Sequence, residues 1–283
     1  MDLPLDYTRP FFSYGLFQPG QIGFHSLVPH VSRYEQGWSV RGQLLQRDGL
    51  PVLLDGNEEQ CPGSVIHFLP GQEAHAYLVI ARIEPDKLYK WAEKEAHQLQ
   101  DGNSATVAVN VLEGVKVNRG THPLEEALWD GKNEPLFSSA LEVVQETMEQ
   151  SKTFDWDLKS LFRLQMAYML LWTSIERYAS FRYHLGDRVM DKLKGLSQNP
   201  DFGKALRDVV TESRVIYRSD DPDKKETLDA NNPRKALDYY FQVRSNITHR
   251  GKAAFRDHET LVKSIEELLN IFRRVLDAEF RID

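Results

Sequence analysis

The chain has 283 residues, of which 41% are hydrophobic, 27% charged and 11% aromatic, a balance that supports packed cores and excludes a disordered or fibrous chain. That length points to about two domains of ordinary size. A net charge of −7 argues against a protein that coats nucleic acid nonspecifically, and the single cysteine, Cys61, excludes an intrachain disulfide.

No N-terminal segment joins a basic start to an apolar run, so the expected location is cytoplasmic. The densest apolar run, Met166 to Trp172, falls far short of the roughly 20 residues that cross a bilayer, so no membrane partner is expected. No zinc-type spacing and no Gly-rich loop ending in Lys-Ser or Lys-Thr occurs, and neither metal nor cofactor is called for.

From about Phe11 to Leu112 turn signals alternate with short strand-like pieces. The turns are Pro19-Gly20, Asp48-Gly49, Asp55-Gly56-Asn57, Pro62-Gly63 and Pro70-Gly71. Residues 39–45, 52–54, 64–69 and 105–112 have the length and partial alternation of strands. Glu84-Pro85-Asp86, with proline at a first-turn position, predicts the start of a helix that runs through Lys87 to Glu95. A polar connection from Asn118 to Pro135 follows.

Beyond Leu136 the period becomes helical. Leu158, Leu161, Leu164, Tyr168, Leu171, Trp172, Ile175 and Tyr178 predict a long buried helix, capped by Asp155 or Asp157. A further helix is predicted over 202–217, then a polar loop over 218–232, a helix opening at Pro233, and a last amphipathic helix carrying Leu261, Ile265, Leu268, Phe272 and Val275. From Arg234 to Arg256 six basic residues face Asp238 alone, a basic patch on an acidic chain. The expected fold class is thus α+β: a small β-barrel-like domain over 1–117, a linker over 118–135, and an all-α helical-bundle domain over 136–283.

Two segments carry chemistry. Phe12-Ser13-Tyr14-Gly15-Leu16-Phe17-Gln18-Pro19-Gly20 resembles the opening of γ-glutamylcyclotransferase-like domains. The resemblance implies a ligand-binding turn at Tyr14, Gly15, Leu16 and Phe17 for a small γ-glutamyl-type molecule. It also implies a glutamate late in a short helix that moves the proton as a γ-glutamyl amine closes to 5-oxoproline. Glu95 is the matching position on the predicted helix, although Leu16 stands where the family has Ser or Thr, Phe17 where it has Leu, and Ala92 where it has Asp. A carboxylate in a half-buried cavity has its pKa raised and becomes a base near neutral pH, whereas a charged run such as Glu93-Lys94-Glu95 is ordinarily a solvated face.

The helix that begins at Pro233 ends in Arg244-Ser245-Asn246-Ile247-Thr248-His249-Arg250-Gly251, which resembles the motif of HEPN domains, an arginine followed after four to six residues by a histidine. Arg177 and His184 match the same spacing and read as core-helix residues. The resemblance implies metal-independent endoribonuclease activity on RNA: His249 as base and acid, Arg244 for the phosphorane charge, Asn246 on the histidine's face, Glu176 orienting the pair, and Arg250 and Lys252 holding RNA. Five residues rotate by about 140° along an ideal helix, so two copies are needed around one phosphate and a homodimer is implied. The setting it suggests is toxin action, stress response or antiviral defence, with the first domain sensing a ligand. The alternatives are a γ-glutamyl cyclising lyase with a helical dimerisation module, and a noncatalytic binding protein.

Overall fold

The computed structural model describes every residue except 48–49, 57–58, 85–87, 101–102, 116–120, 124–129, 152–157, 184–188, 220, 222, 251–257 and 281–283, and gives only the backbone at 99–100, 103–104, 121–123 and 249–250. The fold is mixed α+β. Two compact units divide at the end of the expected linker, the first over Met1–Glu134 and the second over Pro135–Glu279.

The first unit is built on a closed five-stranded barrel. Its strands are β1 (Phe11–Ser13), β2 (Val31–Arg41), β5 (Gln60–Phe68), β6 (Tyr89–Gln100) and β7 (Asn103–Gly114), in the order β1-β5-β2-β6-β7. Closure comes from the short β1, antiparallel to β5 and parallel to β7, with Phe11 opposite Asn110 and Phe12 opposite Val111. The interior holds Phe12, Trp38, Val40, Cys61, Val65, Ala96, Val109 and Val111. Along β2 the register shifts between Gln36 and Trp38, where Gly37 takes φ +77°, a bulge that bends the strand around the barrel. Burial pushes the Cys61 thiol up to about 12, so it is an inert core group.

A second, three-stranded sheet lies outside that closed set. It consists of the hairpin β3 (Gln43–Arg47) and β4 (Leu50–Leu54), with β8 (Thr121–Pro123) added along β3 so that Arg47 pairs with Thr121 and Leu45 with Pro123. The expected linker is therefore partly structured: it supplies this strand, and the Gly131 N–H donates to Gln21 Oε1 at 3.1 Å.

The helix of this unit is not where the sequence reading put it. It is α1 (Glu73–Ile83), which begins after the Pro70-Gly71 turn and buries Ala76, Tyr77, Ile80 and Ala81 on one face. It stops at Glu84, which is extended (φ −91°, ψ 130°), as the residue before a proline prefers. Glu84-Pro85 ends a helix rather than starting one, and 89–100 is a strand. Strand β6 escaped detection because an interior position is charged: Lys94 lies between Ala92 and Ala96 and is neutralised by Glu113 of β7 at 2.8 Å. A strand whose inner row contains a lysine does not look alternating.

The second unit contains α2 (Ser139–Ser151), α3 (Leu158–Tyr183), α4 (Val189–Ser197), α5 (Pro200–Val209), α6 (Pro233–Arg250) and α7 (His258–Glu279). Its core is aromatic and aliphatic, with Tyr168, Trp172, Tyr178, Leu237, Tyr240, Ile265 and Phe272 all buried. It is not all-α, and the helix expected over 202–217 ends early. Asn199 caps α5 by accepting from the Asp201 and Phe202 amides, the helix stops at Val209, and Val215–Tyr217 (β9), at the end of the expected helix, pairs with Lys225–Thr227 (β10) in the expected loop. Arg214, just before the hairpin, forks onto Glu267 of α7, which also accepts from the Tyr240 hydroxyl at 2.8 Å. Among the described residues no helix is long and apolar enough to cross a membrane.

Candidate active site

The turn after β1 and the C-terminus of α1 meet at one small cavity of the first unit. Tyr14, Gly15, Leu16 and Phe17 line it, with Pro51 of β4 and Glu84 opposite. Its volume of about 20 Å³ is room for about one water molecule. The four residues named for ligand binding from the sequence are thus brought together, and all four are buried.

Each member has a distinct task. The Tyr14 hydroxyl donates to Leu112 O of β7 at 2.7 Å and accepts from the Leu53 N–H of β4 at 3.2 Å, fastening the hairpin to the barrel. Burial holds that phenol far above its ordinary value, so it stays neutral. Gly15 is required by contact: a Cβ there would lie 2.4 Å from Pro51 Cγ. The amides of Gly15, Leu16 and Phe17 find no acceptor among the described residues, which leaves successive N–H groups on the turn beside the cavity.

Glu84 is the chemically unusual group. Its side chain is half-buried and reaches the cavity while protein encloses the carboxyl, and burial pushes that carboxyl up to about 7, with the Arg47 guanidinium drawing it back down. A carboxyl balanced between its two forms at neutral pH, in a pocket with tethered amides, is suited to take up and return a proton. Extension before Pro85 turns Glu84 away from the helix path, and this signal was present in the sequence. Arg47 was also missed. It is 6% exposed, donates to Leu88 O at 3.2 Å and Val115 O at 3.4 Å, and its guanidinium lies 5.4 Å over the Tyr89 ring, which borders the same cavity.

Glu95 does not belong to this pocket. It is an exposed residue of β6, on an open polar groove of about 380 Å³ shared with Arg41, Asp55, Lys94 and His97. It was chosen because residues 87–95 read as a helix; the strand's twofold alternation turns it outward, away from the barrel interior filled by Ala96.

At the end of α6 the sequence-named residues are brought together only in part. Arg244 lies over Phe241 at 5.7 Å, and Phe241 packs on Trp172 with ring centres 6.0 Å apart. Glu176 accepts from Trp172 Nε1 at 2.6 Å, and no ion pair joins it to Arg244. Asn246 is not available to RNA or to a histidine tautomer: its Oδ1 accepts from the Ser219 N–H at 3.1 Å and Gln242 Nε2 at 2.7 Å, and its Nδ2 donates to Tyr217 O at 2.9 Å. It pins the β9–β10 hairpin to α6. The side chains of His249 and Arg250, and Lys252 as a whole, lie outside the described residues. Arg177 stacks on Phe181 at 4.5 Å, in keeping with a core-helix residue. No family model, curated protein or solved structure matched this chain.

Proposed function

We propose that the first unit binds a small γ-glutamyl amine and closes it to 5-oxoproline, with Glu84 as the proton carrier. The observation that carries this reading is a near-neutral carboxyl set beside the Tyr14 to Phe17 turn. In its carboxylate form Glu84 takes a proton from the substrate's α-ammonium, and the freed amine attacks the γ-carbonyl carbon. The new C–N bond forms as the old amide C–N bond breaks; Glu84 gives its proton to the leaving nitrogen, and the second proton shed by the attacking nitrogen passes through the freed carboxylate to the departing amine, which leaves as its ammonium form beside the neutral lactam. The amides of Gly15 to Phe17 supply donors for the developing oxyanion or for the α-carboxylate. A cavity of about 20 Å³ is too small for this substrate, so entry requires Pro51 to move off Gly15.

The test is 5-oxoproline released by the full chain from a panel of γ-glutamyl amines. Glu84→Gln is expected to lower turnover by about 10²- to 10⁴-fold, the usual contribution of a positioned acid–base group, while Glu95→Gln leaves it unchanged. A wild-type chain that forms no 5-oxoproline, or a Glu84→Gln variant as active as wild type, sinks the proposal.

A second reading, metal-independent RNA cleavage by the second unit, is favoured by Arg244. This guanidinium near the end of α6 stacks on an aromatic ring and has no carboxylate partner among the described residues, so its charge is available to a phosphate. On this reading His249 moves the proton, Arg250 and Lys252 hold the strand, and two copies of the chain complete the site. RNA cleavage in EDTA that survives Arg244→Ala and His249→Ala refutes it.

A further inference from the structure

The barrel wall opens where two of its strands part. Strand β2 pairs with β6 only from Trp38 opposite Gln98 to Val40 opposite Ala96, whereas β5 follows β2 as far as Arg41 and β7 follows β6 back to Tyr89. Beyond that last pair, β2 and β6 each keep their other neighbour and lose one another. The open groove of about 380 Å³ lies at the parting, bordered by Arg41 of β2, by Lys94, Glu95 and His97 of β6, and by Asp55 and Gly56 just past β4. Clefts of roughly 300–1,000 Å³ hold small molecules, and this one shares no lining residue with the Glu84 cavity.

Two kinds of charge line the groove. On the inner side Lys94, 13% exposed, is satisfied within the chain: its Nζ donates to Glu113 Oε1 at 2.8 Å and to Asp55 Oδ1 at 3.0 Å. On the outer side stand Arg41 and Glu95. Val40 and Ala96 are buried in the barrel core, so the twofold alternation turns the next residue of each strand, Arg41 and Glu95, together to the opposite face. Opposed residues of paired antiparallel strands have Cα atoms about 4.5–5.5 Å apart, and these two stand one step past such a pair. Yet they do not join. Among the described residues neither side chain has an ion pair or a hydrogen bond, and both are exposed. An arginine and a glutamate that border one groove without meeting leave a positive and a negative site open side by side.

We propose that this groove binds a free α-amino acid as its zwitterion, with Arg41 forked onto the α-carboxylate and Glu95 accepting from the α-ammonium. Arg41 and Lys94 are matched by Asp55 and Glu95, so a lone anion or a lone cation meets as much repulsion as attraction. A molecule with one charge of each sign, a single carbon apart, answers both open groups at once, and a planar guanidinium offers a carboxylate two parallel N–H donors. Among the described residues no apolar side chain lines the groove. The ligand's own side chain therefore meets the Lys94–Asp55 pair and His97, whose ring shares a hydrogen bond with Thr106 Oγ1 at 3.2 Å. A small polar side chain suits those neighbours, because an apolar one would desolvate them without replacing their hydrogen bonds. Both rim groups are solvated, so binding falls in the millimolar range.

The probe is L-serine, which cannot cyclise and is thus read apart from any reaction at Glu84. The full chain, labelled with ¹⁵N, is titrated with L-serine, with N-acetyl-L-serine, which keeps only the carboxylate, and with L-serinamide, which keeps only the ammonium. L-Serine is expected to shift the amides of Arg41, Gly56, Glu95 and His97 along a saturating curve, with an affinity about 10-fold or more above either blocked form. Arg41→Gln and Glu95→Gln, both on the exposed rim, should each weaken it by about 10-fold. A blocked form that binds as tightly as L-serine overturns the proposal, since one charge would then suffice. Unchanged affinity in either variant, or amides that stay unmoved at millimolar L-serine, overturns it as well.

Discussion

Among the described residues, Glu84 at its cavity and Arg244 near the end of α6 each lack a close counter-ion, yet they respond to pH in different ways. Glu84 is a carboxyl whose enclosure pushes it to about 7, so its charge is set by its surroundings. Arg244 is always cationic, so any pH response at that end has to come from another residue, with His249 the candidate. The first site is tuned by packing, and a packing change will detune it. The second is supplied ready-made by residue type, with its neighbour Asn246 committed to holding a hairpin.

The contrast is broken most forcefully at Gly15. Gly15→Ala pushes a methyl against Pro51, and overpacking of this kind costs about 1–3 kcal/mol; we expect that loss in urea unfolding, together with loss of 5-oxoproline formation. Tyr14→Phe leaves Leu53 N–H and Leu112 O without their buried partner and should cost a similar ~1–3 kcal/mol, with faster amide exchange across β4.

The pH dependence of stability sharpens the comparison. Folding raises the Glu84 pKa from its ordinary 4.5 to about 7, so the neutral acid is favoured in the folded chain. That contribution is complete below about pH 4.5 and is lost as pH rises through about 7. The melting temperature of Glu84→Gln relative to wild type should therefore climb between pH 5 and pH 8, and a flat difference would show that burial does not act on this carboxyl.

At the other site the effects are smaller. Asn246→Ala should cost about 1 kcal/mol and loosen amide protection at Ser219. Arg244→Ala is expected to cost about 0.5–1 kcal/mol, the worth of its stacking on Phe241, since the side chain has no ion pair to lose. A loss of several kcal/mol there would make Arg244 a structural residue and remove it from any phosphate-binding role.

What the sequence revealed depended on whether period and chemistry agreed. The long α3 and α7 were legible because their apolar rows are unbroken, and the Tyr14 to Phe17 turn because glycine and proline punctuate it. Strand β6 was hidden by Lys94, whose partner Glu113 lies 19 positions away and becomes visible only when the strands pair. That misreading put the expected proton carrier at Glu95 instead of the proposed Glu84, eleven residues earlier in the chain. Helix α1 was overlooked although Ala76, Tyr77, Ile80 and Ala81 trace one face, because the polar Glu73 and His75 of its first turn follow directly on a Pro-Gly turn. Arg47 had no local signature at all: a basic residue beside an Asp-Gly turn looks solvent-facing, and only the fold puts its head group under Tyr89.

The pairing of β8 with β3 bears on how this chain can be dissected. The boundary suggested by composition falls near residue 117, ahead of Thr121–Pro123. A fragment cut there would leave the hydrogen-bonding edge of β3 bare, an open template for other chains and a route to aggregation. An excised first half that keeps its hairpin in register has to extend past Pro123, and insolubility of anything shorter would reflect the missing strand rather than a dependence on the helices.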